Sequence, residues 1–221
     1  MSLDKNYLNQ FIKVTEFAAY GASPFIGKGN KNAADQGAVD KMRNELNKID
    51  MIGTVVIGEG EMDEAPMLHI GEKVGTKKGI EIDIALDPLE GTKFTANNLP
   101  GAFSVIVISE KGNLLSAPDT YMEKIIVGSN LPPNLLDLDN SVETNINLLA
   151  KAKGKKISEL NACILDRPRH KNIIETLNKL NVTINFITDG DIAGGLSVIG
   201  ENPKNDIYLG IGGGPEGVIT A

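Results

Sequence analysis

The sequence predicts an α/β protein in two parts, an N-terminal α+β part followed by a C-terminal α/β part. Two observations carry this. Near the start, apolar residues recur at helical spacing and then give way to short β-branched runs. Beyond a proline-containing stretch, strand-like and helix-like segments alternate, which is the pattern of a parallel layer.

Taken in order, Leu8, Phe11, Ile12, Thr15 and Ala19 predict a helix over residues 4–20. "GNKNAADQGAV" is a polar loop feeding a second helix, with Met42, Leu46 and Ile49 as its apolar stripe and Asp35 near its start. "IGTVVIG" (52–58) is a β-branched strand that ends in the acidic turn "EGEMDEAP", where Pro66 opens another short helix. "GIEIDIALD" (79–87) alternates, with Ile80, Ile82, Ile84 and Leu86 on one face and Glu81, Asp83 and Asp87 on the other. "AFSVIVISE" and "MEKIIVG" are further strands, with Gly112-Asn113 as a turn signal between them.

The stretch "LPPNLLDLDNS" (131–141) has two prolines and little periodicity, so the expected boundary divides 1–135 from 136–221. Beyond it "NACILD", "TINFITD" and "DIYLGIGG" read as strands, and "KNIIETLNKLN" and "IAGGLSVIG" as helices. In the closing "GGGPEGVITA", Pro-Glu-Gly leads into a helix, and so few residues follow that the second part is expected to be incomplete.

With 221 residues, 41% of them hydrophobic, the chain is long enough for one sizeable core or two subdomains. A net charge of −7 argues against nucleic acid or an anionic membrane as partner. It leaves anionic substrates open, because a divalent metal reverses the local field. The single Cys163, within the apolar "ACIL", reads as a buried small hydrophobe in a reducing compartment. The start has no apolar signal region, and no run reaches the roughly 18 apolar residues of a membrane helix. The expectation is a soluble cytoplasmic protein.

Three acidic clusters follow strand-like runs: Glu59, Glu61, Asp63 and Glu64, then Asp87 and Glu90, then Asp189 and Asp191. Ligands bind at strand C-terminal ends in α/β layers, and converging carboxylates repel unless a cation lies between them. The two histidines and one cysteine lack zinc-ligand spacing, whereas carboxylate and carbonyl oxygens suit Mg2+ or Mn2+. Each cluster also has a plain reading. "EGEMDE" fits a solvated helix entry, "TDGD" fits a turn, and "GIGGGPEG" lacks the Lys-Ser/Thr of a P-loop.

"DPLEGT" is more specific. Pro88 fixes φ and holds Asp87 and Glu90 at a set separation. Gly91 permits a sharp turn or a close ligand approach, and Thr92 offers a hydroxyl and an N–H at a helix start. Together these fit metal-assisted phosphate chemistry.

These motifs also carry a resemblance. "GKGNKNAADQGAVDKMR", "IGEGEMDEAPMLHIGEKVG", "DPLEGT", "DRPRH", "TDGDIAGG" and "GIGGGPEG", in this order, resemble the lithium-sensitive, metal-dependent sugar phosphatases. Within them the chain is most similar to the class II (GlpX-type) fructose-1,6-bisphosphatases, some of which also act on sedoheptulose 1,7-bisphosphate. Glu90 points there, because inositol monophosphatases and class I enzymes usually carry Asp at that place.

The resemblance implies a layered α/β/α sugar-phosphatase fold and hydrolysis of the 1-phosphate of fructose 1,6-bisphosphate with Mn2+ or Mg2+. It puts metal ligands on Asp35, Glu59, Asp87, Glu90 and Glu216, with the Leu89 carbonyl. It puts substrate contacts on Glu90, Gly91, Thr92, Tyr121, Arg167, Pro168, Arg169, Asp189, Gly190, Asp191 and Gly213. Lys31 and Asp63 support catalysis, with Thr92 and either Asp35 or Asp63 orienting the attacking water. Arg167 and Arg169 suit forked binding of the phosphate that is not cleaved, and Asp189 and Asp191 suit sugar hydroxyls. A homo-oligomer, dimer or tetramer, in gluconeogenesis or a carbon-fixation cycle, is also implied. Two alternatives stay open: a phosphatase of another sugar or inositol phosphate, and a truncated, inactive fragment, since family chains run past "PEGV".

Overall fold

The structure, a computed structural model, describes residues 5–59 and 68–221. They form two compact units, Met1–Pro118 and Asp119–Ala221. The boundary expected after residue 135 falls after Pro118 instead, because the strand Tyr121–Val127 pairs along its whole length with Ile207–Gly213.

In the first unit, α1 (Lys5–Ala22) and α2 (Lys31–Leu46) pack on a sheet of four strands. α1 buries Tyr7, Phe11, Val14, Ala18 and Ala22, a face rotated from the expected stripe, and Leu8 and Ile12 are exposed. The Asn30 side chain caps α2 by accepting a hydrogen bond from the Ala33 N–H at 3.0 Å. α2 then buries Ala34, Ala38, Val39, Met42 and Leu46.

The strands are β1 (Met51–Ile57), β2 (Lys73–Val74), β3 (Ile80–Glu90) and β4 (Phe103–Glu110), in the order β2-β1-β3-β4. β1 and β3 are parallel, and the other pairs are antiparallel. β3 runs past the expected end at Asp87 as far as Glu90, and its register with β4 shifts between those two acids. Pro88 lies there, and a residue without an N–H belongs at such an irregularity. The short α3 (Thr92–Ala96) follows at once. The polar face of β3 is not solvent-facing at Asp83, which is buried and accepts the Gly112 N–H at 2.6 Å. The Gly112-Asn113 turn therefore tethers the chain after β4 to β3 and joins no hairpin. The helix expected at Pro66 lies outside the described residues.

In the second unit the order is β5-β8-β6-β7, formed by β5 (Tyr121–Val127), β6 (Asn161–Leu165), β7 (Thr183–Ile187) and β8 (Ile207–Gly213). β6 runs parallel to β7 and β8, as expected, and β5 runs antiparallel at the edge. Side chains alternate between two faces. Ile207 and Leu209 join Ile146, Leu149 and Leu177 in the core formed with α4 (Val142–Lys153) and α5 (Lys171–Lys179). Tyr208 and Cys163 cluster with Val198, Ile126 and Ile187 instead. α6 (Asp191–Leu196) and α7 (Gly214–Thr220) contact each other and the strands β5, β6 and β8. The sequence pattern did not reveal α4. Its start is signalled by Ser141, which accepts the Thr144 N–H at 3.1 Å.

Cys163 is buried, and burial pushes its thiol above the ordinary range. Among the described residues no helix is long and apolar enough to cross a membrane.

Candidate functional site

In the first unit, parallel pairing brings the C-terminal ends of β1 and β3 to one sheet edge. Glu59 lies just beyond β1, and Asp87, Leu89 and Glu90 close β3. Asp35 sits near the start of α2, with Lys31 exposed as its first residue.

Two acids at this edge are raised by burial and by neighbouring acids. Glu59 is pushed up to about 8, first by burial and then by the charges of Asp35 and Asp87. Asp35 is pushed up to about 6 by burial and by Asp87. Asp87 Oδ1 also accepts the Leu89 N–H at 2.9 Å, so its carboxylate closes the turn made at Pro88. Glu90 is buried. Gly91 has φ +78, a left-handed conformation that ends β3 and lets half-buried Thr92 open α3. Asp63, Glu61 and Glu64 lie outside the described residues.

This donor set suits a hard divalent cation. It consists of carboxylates in each other's field, partly withdrawn from water, and a cation relieves both penalties. Among the described residues, however, no three Asp, Glu, His or Cys side chains are drawn together closely enough to hold one ion. The fit lies in donor chemistry and field.

In the second unit the C-terminal ends of β6, β7 and β8 share an edge, and antiparallel β5 starts there with Tyr121 opposite Gly213. After β6 come Arg167 and a tight turn, Pro168–His170. After β7 come Asp189 and Gly190, and Asp191 opens α6. After β8 comes Glu216, in the first turn of α7.

Arg169 Nε donates to the Ile211 carbonyl at 2.7 Å, and its guanidinium lies 4.8 Å from the Tyr121 ring centre. Tyr121 is 65% exposed, so it stands at the edge and not in a core. Arg167 Nη1 donates to the Asp166 carbonyl at 2.9 Å, and Nη2 is 3.8 Å from Asp189 Oδ1. Glu216 Oε2 is buried without a hydrogen-bond partner. Such an orphaned acceptor fits a cation or a donor that binds there.

Residues 5–221 match the family described as bacterial fructose-1,6-bisphosphatase, glpX-encoded. The chain belongs to that family.

Three relatives illustrate the likeness. The fructose-1,6-bisphosphatase 1 class 2 of Escherichia coli K12 is 46% identical over 212 residues, which is 96% of this chain and 63% of the relative. The class 2 enzyme of Haemophilus influenzae is 45% identical over 212 residues, with the same coverage of 96% and 63%. The D-fructose 1,6-bisphosphatase class 2/sedoheptulose 1,7-bisphosphatase of Synechococcus elongatus is 40% identical over 234 residues, covering 99% of this chain and 67% of the relative. The chain thus spans 63% of the length of the first two.

Within this GlpX-type chain, three polar residues that the motifs do not single out are central to the second edge. His170 is fully buried; its Nε2 accepts the Ile211 N–H at 2.8 Å, and its Nδ1 donates to the Leu165 carbonyl at 2.7 Å. Lys124 Nζ lies 2.6 Å from Asp191 Oδ2, and the Tyr208 hydroxyl donates to Asp191 Oδ1 at 2.5 Å. Asp191, expected to meet sugar hydroxyls, is therefore buried with both oxygens engaged by the protein. The available signal was a lysine inside the apolar strand "MEKIIVG", a position tolerated only with a buried partner.

Proposed function

We propose that this chain serves hydrolysis of the 1-phosphate of fructose 1,6-bisphosphate, yielding fructose 6-phosphate and phosphate, with Mn2+ or Mg2+. The observation that carries the reading is the raising of Asp35 and Glu59, by burial and then by the neighbouring acids Asp87 and, for Glu59, Asp35, beside the Glu90-Gly91-Thr92 turn. Acids raised by burial and by a neighbouring acid at a strand edge are poised for a cation and a phosphate.

The proposed cation ligands in the first unit are Asp35, Glu59, Asp87, Glu90 and the Leu89 carbonyl. In the second unit Glu216, with its unpartnered oxygen, is kept in the set. Bound divalent ions would neutralise charge on the phosphate oxygens and acidify a water. Thr92, with Asp35 or Asp63, orients the attacking water, and Lys31 adds positive charge for the phosphate. The second unit provides Arg167 and Arg169 for the phosphate that is kept, and Asp189, Gly190 and Gly213 for the sugar. Tyr121 holds the Arg169 guanidinium against its ring face.

The name of the Synechococcus elongatus relative favours sedoheptulose 1,7-bisphosphate as a second substrate. A soluble, cytoplasmic homo-oligomer, dimer or tetramer, completes the proposal.

The test is phosphate release by this chain from both bisphosphates, fructose 6-phosphate and inositol monophosphate, with Mn2+, with Mg2+ and with a chelator. Release from the bisphosphates, abolished by chelation and by Asp87→Ala or Glu90→Ala, is expected. Arg167→Ala and Arg169→Ala should mainly raise KM. Wild-type rates in Asp87→Ala would sink the assignment, and no release by the folded wild-type chain would favour the inactive-fragment reading.

A further inference from the structure

The turn Asp189–Gly190–Asp191 is anchored by a buried polar network. Asp191 opens α6 and reaches back across Gly212 of β8, where a Cβ would collide with its Oδ2. Its two oxygens are taken by different strands, Lys124 of β5 and Tyr208 of β8. Lys124 is 6% exposed and Tyr208 is 0% exposed, so both side chains meet Asp191 out of contact with solvent. Burial, and then the hydrogen bond to Asp191, push the Tyr208 phenol far above its ordinary range, so it remains a donor. A carboxylate this buried is tolerable only with such partners.

The position of the network bears on the neighbouring edge. Asp191 follows Gly190, whose φ of +85 has no side chain to enforce it. Asp189 lies one residue further back, with its carboxylate beside Arg167. The apolar core shared by α4, α5 and the sheet takes the alternate residues Ile207 and Leu209, on the face opposite Tyr208. Loosening the network should therefore release the turn and its arginine partner before it disturbs that core.

We propose that Lys124 and Tyr208 are positioning residues: through Asp191 they set the Asp189–Gly190 turn for the hydroxyls of a sugar phosphate, and they touch no substrate themselves. The substrate half of this inference rests on the proposed function, whereas the positioning half stands on the geometry.

The test compares wild type with Tyr208→Phe, Lys124→Met and the charge-conserving Lys124→Arg. Amide hydrogen exchange should accelerate about tenfold at residues 194–196, beginning with the Gly194 N–H that donates to the Gly190 carbonyl at 3.1 Å, in Tyr208→Phe, and further in Lys124→Met, with α4 unchanged. Equal acceleration throughout the second unit, or none at these residues, overturns the positioning role. In phosphate release from fructose 1,6-bisphosphate, KM should rise about five- to twentyfold with kcat within about twofold, and Lys124→Arg should recover most of the loss. A fall in kcat at unchanged KM overturns the substrate half. Should Lys124→Met fail to fold, Tyr208→Phe decides both readouts. Should the wild-type chain release no phosphate, the proposed function fails by itself, the substrate half falls with it, and exchange still decides the positioning.

Discussion

Replacing His170 with leucine isolates a structural histidine within an arginine-bearing motif. The ring stands where β6 has already ended, and it supplies the acceptor that the Ile211 N–H of β8 would otherwise lack on that side. Its other nitrogen donates to the Leu165 carbonyl, closing the turn that carries Arg167 and Arg169. Leucine fills similar space and makes neither bond. Two net hydrogen bonds are worth about 0.5–1.5 kcal/mol each, and a buried N–H left unpaired costs about 1–3 kcal/mol. Hydration of the exposed turn returns part of this, so a loss of about 2–4 kcal/mol is expected. The chain has no tryptophan, so urea unfolding is followed by far-UV circular dichroism. The midpoint of the second unit's transition should fall at unchanged slope. A loss below about 1 kcal/mol would refute the role drawn from these distances.

Two further outcomes are expected. Burial alone would raise the Asp206 carboxyl, but hydrogen bonds from Lys153 at 2.6 Å, Lys155 at 2.7 Å and the Asn161 N–H at 2.9 Å outweigh it and hold the group below its ordinary value. Its contribution is then fully present above about pH 4 and is lost as pH falls through the lower folded value. Urea midpoints between about pH 6 and pH 2 should fall more steeply for wild type than for Asp206→Asn, and parallel curves would count against the linkage. Gly91→Ala places a Cβ at φ +78 and 2.7 Å from Phe94 Cδ2, so a loss of about 1–3 kcal/mol is expected in thermal melts. Phosphate release should fall at least about tenfold as Glu90 and Thr92 shift, and a wild-type rate would separate this turn from the chemistry.

Most of the fold was legible because its elements announce themselves locally. "GIEIDIALD" alternates, "NACILD" and "TINFITD" are short apolar-rich runs, and "KNIIETLNKLN" reads as a helix. What stayed hidden depends on partners distant in sequence. The orientation of α1 required knowing which face meets the sheet, and Leu8 and Ile12 are as apolar as Phe11 and Val14. The assignment of β5 to the second unit required its pairing with β8, some eighty residues on. "DPLEGT" and "DRPRH" stood out as candidates because each motif is local. The network at Asp191 did not, because its members come from β5, α6 and β8.

The electrostatics of the two units point in one direction. In the second unit two buried acids are matched with cations, Asp191 with Lys124 and Asp206 with Lys153 and Lys155, whereas Glu216 Oε2 is buried without a partner. The first unit does the same away from its strand edge, where Arg43 Nε lies 2.6 Å from buried Glu72. Asp35 and Glu59 are treated differently, because burial and like charge raise both of them. Among the described residues no cation offsets either of these two acids, so the strain at this edge is selective. Carboxylates arranged this way destabilise the unliganded protein and reward a positive ligand. That contrast between offset and un-offset acids, more than the count of acids in any motif, is the argument for proposing Asp35, Glu59 and, in the second unit, Glu216 as divalent-ion ligands.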